Sequence, residues 1–285
     1  MKIAVLGTSC IDRVIVPRLS NTFDFVKTTQ VKEIEGFGGS MHNIAYHLGV
    51  LGVRTDFYTK IGSDPRSQML VMDLENNGVR VRASVVQGKC PSFTCLEDEN
   101  GKIYLSTVDE RYFFSENDQL RSELFNDVAF GITDNNHPVF FKHLMEISSG
   151  TKWVMNARKI PFEWMNCLDG YILNREEASR YSFESLDAFA SHCLKSGLNW
   201  LIITLDKDGL VYYDKDKKRH FPALTNGKGI SLGCGDALSA GIMYGRSLGL
   251  SIIDSIPFGL KAASIIYSKS TAISKEIVQI KNLMV

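Results

Sequence analysis

Short apolar runs rich in β-prone residues alternate with segments of helical periodicity along most of this chain. Ile3–Leu6, Arg54–Ile61, Trp153–Asn156, Tyr171–Leu173 and Leu201–Leu205 read as buried strands. Asn43–Leu51, Ser67–Asn77, Pro138–Ser148, Leu186–Ser196, Asp236–Leu248 and Ile253–Ser268 read as helices. Apolar strands separated by helices predict an α/β fold, with a mostly parallel sheet and helices on both faces. Ligands of such sheets collect beyond the C-terminal ends of the strands. Ile11–Val31 and Arg80–Tyr112 break the alternation: both are strand-like, and the second contains Glu99-Asn100-Gly101-Lys102, a hairpin signal. They predict a small antiparallel lid over one side of a single domain spanning residues 1–285.

Charge narrows the function. The chain carries 32 basic and 32 acidic residues, a formal net charge of +0, and its one basic block, Lys215–Arg219, reads as a solvated hairpin turn. That balance speaks against nucleic acid or an anionic membrane surface as partner. Met1–Leu6 is too short an apolar run for a signal peptide, and no stretch approaches the roughly 20 apolar residues of a transmembrane helix. Six cysteines without a CxxC pair are expected as free thiols in a cytoplasmic protein. His42 and His47, five apart, lie on different faces of a helix, which argues against a metal site.

The segment Leu232-Gly-Cys-Gly-Asp-Ala-Leu-Ser-Ala-Gly241 carries the most chemistry. Gly233 and Gly235 let backbone approach a ligand, and the helix that follows offers free N–H groups and the positive end of its dipole to an anion. Asp236, in the first turn, is a carboxylate beside that anion site. Such a group can take a proton from a hydroxyl as it attacks a phosphoryl group. The plainer alternative is an Asp N-cap after a glycine turn. A second Gly-rich loop, Gly36-Phe-Gly-Gly-Ser40, leads into the helix that carries Asn43, whose amide could bind a polyol or serve as an N-cap.

Together these residues resemble the PfkB (ribokinase-like) family of carbohydrate and nucleoside kinases. The likeness rests on Gly38, Gly39, Asn43, Ala45, Leu48, Leu51 and Gly52, on Gly233-Cys-Gly-Asp236 with Gly241, on Asn174-x-x-Glu177, and on Thr204-Leu205 with Gly209. Within the family the chain is most similar to pseudouridine kinases, in Asn43-Ile-Ala45, Gly209–Tyr213 and Gly235-Asp-Ala237. The resemblance implies a three-layer α/β/α fold and transfer of the γ-phosphoryl group of ATP, with Mg²⁺, to a hydroxyl of a small sugar or nucleoside. It implies Asp236 as the base and the N–H groups of Gly233, Cys234 and Gly235 as the anion hole. Asp12, Gly38, Gly39 and Asn43 would bind the acceptor, with Asp109 as a further candidate. Thr204, Gly209 and Asn226 would bind the nucleotide, and Asn174 and Glu177 the metal.

The chain departs from the family pattern in several places. Ile230-Ser231 stand where many members carry Asp-Thr, which weakens the expectation of a monovalent cation. Cys234 replaces the usual Ala, and Asp206 stands where Gly is frequent. Arg13, Lys89 and Arg111 near the lid could serve a phosphorylated acceptor of the fructose 6-phosphate type. Open lid edges offer a route to a homodimer. A catalytically weakened nucleoside or sugar sensor is the competing reading. A dinucleotide oxidoreductase is excluded because Gly7-Thr-Ser-Cys10 lacks Gly-x-Gly-x-x-Gly, and a P-loop kinase because Gly227-Lys-Gly229 lacks the Walker spacing.

Overall fold

The computed structural model describes residues 1–19, 21–24, 26–224, 231–269 and 271–284. Its elements begin with β1 (Lys2–Leu6), β2 (Cys10–Pro17), β3 (Val31–Gly38), α1 (Ser40–Val50), β4 (Arg54–Gly62), α2 (Pro65–Asn76) and β5 (Val79–Val86). There follow β6 (Ser92–Asp98), β7 (Gly101–Ser106), β8 (Val128–Thr133), α3 (Pro138–Ile147), β9 (Lys152–Asn156), β10 (Gly170–Asn174) and α4 (Arg175–Ser179). The chain ends with α5 (Leu186–Lys195), β11 (Trp200–Thr204), β12 (Leu210–Asp214), β13 (Lys218–Phe221), α6 (Cys234–Ser247), α7 (Ile252–Tyr267) and a 3₁₀ segment, Lys275–Met284.

The main sheet runs β13-β12-β11-β10-β9-β8-β1-β4-β5, parallel from β11 to β5, with β12 and β13 antiparallel at one edge. β1 lies inside it because both its faces are apolar. Ile3 and Val5 pack under α1, α2, α6 and α7, while Ala4 and Leu6 pack under α3, α4 and α5. Two apolar layers thus sandwich one sheet, and all the parallel strands end on the same side. The α6–α7 crossing is a backbone contact. A Cβ on Gly241 would come within 2.5 Å of Phe258 O, and one on Gly259 within 2.7 Å of Leu238 O.

The small sheet, ordered β3-β2-β6-β7, differs in extent from the expected lid. Its outer pairs are antiparallel, but β2 and β6 run parallel, since the main-body elements between them return the chain in the same direction. Arg80–Val86, expected in the lid, belongs to β5, which pairs with β4 from Thr55↔Val79 to Gly62↔Val86. As an edge strand covered on one face, β5 shows the polar alternation of a half-exposed strand. Gly36-Phe37-Gly38, expected as loop, ends β3 and pairs with Asp12, Ile11 and Cys10, so Gly39 alone makes the turn into α1. The hairpins at Glu99-Asn100 and between β12 and β13 lie where the turn residues place them.

Candidate active site

Helix α6 opens on Gly233, held in a left-handed conformation (φ 78°) that favours glycine, and its Cα faces Ala272 so closely that a Cβ would clash. Asp236 is the third helical residue, not the cap, and Gly233 offers no side-chain cap. Of the three expected anion-hole N–H groups, that of Cys234 donates to Ser231 O at 3.2 Å. Those of Gly233 and Gly235 have no backbone acceptor among the described residues. A Cβ on Gly235 would meet nothing within 4 Å, so the helix start opens onto free space.

Across this opening stands α1. Asn43 Nδ2 donates to Asp236 Oδ2 at 2.8 Å. Gly39 occupies the N-cap of α1, so Asn43 is a first-turn residue free to turn its amide on α6. Its Oδ1 is buried without a hydrogen-bond partner among the described residues. Asp12, on β2, is buried beside them and accepts from the Cys10 thiol at 3.4 Å, while the nearby Gly39 N–H and Asn43 amide favour its charged form. Gly38 is a glycine because a Cβ there would occupy the Asp12 carboxylate. The structure therefore brings Asp12, Gly38, Gly39, Asn43 and Asp236 together.

Burial pushes the Asp236 carboxyl up to about 7, and the neighbouring charges of Asp12 and Asp134 push the same way, against the Asn43 hydrogen bond and the nearby Ser40 hydroxyl. Burial likewise raises Asp12 to about 6, opposed by the Cys10 thiol and by the nearby Gly39 N–H and Asn43 amide. A carboxylate poised near neutrality is suited to accept a proton.

Asp134 was missed in the sequence. It follows β8, a strand absent from the sequence reading, and is 2% exposed. Thr8 Oγ1 donates to its Oδ2 at 2.9 Å, and Arg158 Nη2 lies 3.4 Å from the same atom. A Cβ on Gly7 would collide with Oδ1. Arg158 was missed too, although it stands just beyond the strand Trp153–Asn156. The rule that ligands gather past strand C-termini would have flagged it.

Asn174 and Glu177 form a capping box on α4: Asn174 Oδ1 accepts from Glu177 N at 2.7 Å, and Glu177 Oε2 from Asn174 N at 2.8 Å. Glu177 Oε1 makes no hydrogen bond among the described residues, and burial raises this carboxyl above its ordinary range. Thr204 pairs in register with Asn174 at the same end of the sheet. Asp206 has φ 52°, which explains why glycine suits that position, and Gly209 (φ 90°) packs against the Pro222 backbone. Asn226 and Ile230 lie outside the described residues. Among the described residues no group of three His, Cys, Asp or Glu side chains is placed to hold a metal ion.

With that geometry in place, the profile of the pfkB family carbohydrate kinases matches residues 1–128 and 149–278. The chain belongs to this family. It is accordingly a phosphotransferase with an alcohol group as acceptor. The 5-dehydro-2-deoxygluconokinase of Geobacillus thermodenitrificans (strain NG80-2) is 24% identical over 265 residues, covering 81% of this chain and 78% of that one. The adenosine kinase of Sinorhizobium meliloti superposes with TM-score 0.82 at 16% identity, covering 100% of this chain and 99% of that one. A protein described as ribokinase II from E. coli, in complex with ATP and Mg²⁺, superposes with TM-score 0.81 at 13% identity, covering 99% and 98%. At these identities the two superpositions show the fold.

The pfkB kinase keeps its lid cations apart from Asp12. Arg13, Lys89 and Arg111 line a cavity of about 720 Å³ together with Arg66, Asp64 and Asp109. Arg13 follows Asp12 on β2 and so faces the other side of the small sheet. Arg13 and Arg66 share Glu35, each at 2.9 Å, and Asp109 is held by Arg111 at 2.6 Å. His42 and His47 are both buried, which depresses each to about 3, and each spends one ring nitrogen, on Ser9 Oγ and on the Ser274 N–H respectively. Among the described residues no helix of the kinase is long and apolar enough to cross a membrane.

Proposed function

We propose that the chain transfers the γ-phosphoryl group of ATP to a hydroxyl of a small sugar or ribosyl nucleoside, with Asp236 as the base. The observation that carries this reading is the Asn43–Asp236 hydrogen bond. It fixes a carboxylate poised near neutrality between the acceptor-side cluster of Asp12 and Asn43 and the open N-terminus of α6. Asp12 and the free Asn43 Oδ1 accept hydrogen bonds from acceptor hydroxyls. Asp236 takes the proton of the attacking hydroxyl, and the N–H groups of Gly233 and Gly235 receive the charge of the transferring group. The small sheet closes over the acceptor and excludes water, a competing nucleophile.

Glu177 fits a weakly held Mg²⁺ better than a caged one: a hard ion that keeps several waters needs only one or two protein oxygens, and Oε1 is available. Asn174 fixes Glu177 through the capping box. When bound, the ion supplies neutralisation of phosphate charge. Thr204 and Gly209, at the adjoining strand end, border the nucleotide. The lid cations face away from Asp12, which favours an acceptor that carries no phosphate of its own.

The test is an ATP/Mg²⁺ assay with pseudouridine, uridine, adenosine, ribose, fructose, fructose 6-phosphate and 5-dehydro-2-deoxygluconate, with Asp236→Asn as control. Turnover on any of these, lost in the variant, supports the reading. Turnover on pseudouridine selects the pseudouridine kinase-like form. Binding of one acceptor with no turnover on any replaces the kinase with a sensor.

A further inference from the structure

We propose that the cavity at the root of the small sheet is a second ligand site, which takes a small anion carrying two or more phosphoryl charges. Occupied, it ties the small sheet to the main body. The site is separate from the phosphoryl-transfer site, and binding there does not depend on the kinase reading above.

At about 720 Å³ the cavity has the size of a small-molecule site. Both parts of the molecule build its wall. Arg13 and Ser92 belong to β2 and β6 of the small sheet, while Asp64 and Arg66 stand at the start of α2 in the main body. Lys89 and Arg111 sit on the segments that lead the chain into β6 and away from β7. Among the described residues, none of the wall comes from α4 or α6. Four cations (Arg13, Arg66, Lys89 and Arg111) thus converge between two units, with Asp64 and Asp109 as the carboxylates of the wall.

Those carboxylates are already spent. Asp64 caps α2: its Oδ1 accepts from Ser67 N at 3.2 Å, from Ser67 Oγ at 2.7 Å and from Cys90 N at 2.9 Å. Asp109 accepts from Arg111 Nε at 3.0 Å and from Arg111 Nη2 at 2.6 Å. The cations are not spent. Lys89 is exposed, and its ammonium has no ion-pair or hydrogen-bond partner among the described residues. Arg13 turns only its Nε to carboxylates, to Glu35 at 2.9 Å and Glu33 at 3.6 Å, and its Nη groups have no acceptor among the described residues.

Arg66 reaches from the main body to the small sheet, its Nη2 donating to Glu35 Oε1 at 2.9 Å. Both side chains of that pair are well exposed, at 49% and 35%, so it holds weakly and is displaced at little cost. A phosphoryl group offers the forks of Arg13 and Arg66 more acceptor oxygens and more charge than the Glu35 carboxylate. One negative charge does no more than replace Glu35; Lys89 leaves room for a second. Bound to Arg13 and Arg66 together, the anion bridges β2 to α2. The strand entering β6 is already fastened at this root, by Cys90 N on Asp64 and by the Tyr112 hydroxyl on Lys89 O at 2.6 Å, so the bridge acts on the β2–β3 half.

The probe is inorganic tripolyphosphate, with Mg²⁺ removed by a chelator so that the free anion is present. Binding is measured by calorimetry on the wild-type chain and on Arg13→Gln, Lys89→Gln, Gly235→Val and Lys218→Gln, after checking that thermal unfolding matches. Gly235→Val fills the opening of α6, the other place offered to a phosphate, and Lys218 is an exposed cation on β13. Affinity is expected to fall about tenfold or more in Arg13→Gln and in Lys89→Gln, and to stay within about twofold in the other two. Inorganic phosphate is expected to bind about tenfold or more weakly than tripolyphosphate. Amide hydrogen exchange in β2 and β3 is expected to slow when tripolyphosphate binds.

Loss of binding in Gly235→Val, with Arg13→Gln and Lys89→Gln unaffected, would place the anion at α6 and overturn the second site. So would an equal loss in Lys218→Gln, or no binding by the wild-type chain. Equal affinity for inorganic phosphate would overturn the ligand class, and unchanged exchange in β2 and β3 would overturn the tie to the main body. Each of these leaves the kinase reading standing, since the acceptor assay tests that separately.

Discussion

Asn43 and Asp236 stand 193 positions apart in the chain and are joined by a 2.8 Å hydrogen bond. The bond couples the acceptor side, built by the first elements, to the phosphate side, built by α6. It also sets the orientation of the base: with Oδ2 taken by the amide, Oδ1 is the oxygen left for a substrate proton.

Asp236→Asn keeps the size of the side chain and removes its basicity. Turnover on the productive acceptor should fall by about 10³-fold or more while the acceptor Kd changes little. Steady-state kinetics beside calorimetric binding check this. Near-normal turnover in the variant would assign the base elsewhere.

The raised carboxyls have a pH signature. With Asp236 near 7, kcat/KM should climb with pH and level off above about 7, dropping about tenfold per unit below it. For stability the sign is opposite. A carboxyl raised from 3.8 to about 7 by folding contributes stability that is complete below about 4 and lost as pH rises through about 7. Asp236→Asn should therefore unfold about 5 to 10 °C higher than wild type at pH 8, and at the same temperature at pH 4. Calorimetric scans at the two values decide it.

Two glycines of one motif should fail differently. Gly235 faces open space, so Gly235→Val should fold normally and lose phosphoryl transfer, because the new side chain fills the phosphate approach. Gly233 is left-handed and pressed against Ala272, so Gly233→Val should lose stability first, by about 2 kcal/mol or more. Unfolding curves and activity measured on both variants separate the effects. A fully active Gly235→Val protein would remove the anion hole from the mechanism.

Glu177→Gln retains the capping box, since a Gln side chain makes the same bond to Asn174 N. Stability should move by under about 0.5 kcal/mol while the Mg²⁺ concentration for half-maximal rate rises about tenfold or more. An unchanged Mg²⁺ requirement would leave Glu177 with a purely structural role.

Much of this was legible because it rests on local rules. Gly38, Gly39, Gly233 and Gly235 announce themselves as glycines beside helix starts, with Asn43 and Asp236 in the helices that follow, and β1, β4, β9, β10 and β11 announce themselves as apolar runs. What stayed hidden depended on tertiary placement. The polar alternation of Arg80–Val86 reads alike in a lid strand and in a one-sided edge strand, and only the pairing with β4 separates them. Asp134 was invisible while β8 was unassigned. Nothing in the sequence says that Thr8, Asp134 and Arg158 meet. The Asn174–Glu177 spacing was visible, but one pattern signals both a capping box and a metal ligand.

The glycine crossing of α6 and α7 has a bearing on how such kinases diversify. With Gly241 and Gly259 letting the two backbones touch, the helix that presents Asp236 is anchored at mid-length to its neighbour and holds its place whatever happens at the far rim. The small sheet, a separate set of strands, can then exchange side chains for a new acceptor without disturbing the phosphate end. Inheritance should accordingly be uneven along the gene: in relatives that change substrate, the two crossing glycines should persist or be replaced together, while β2, β3, β6 and β7 drift.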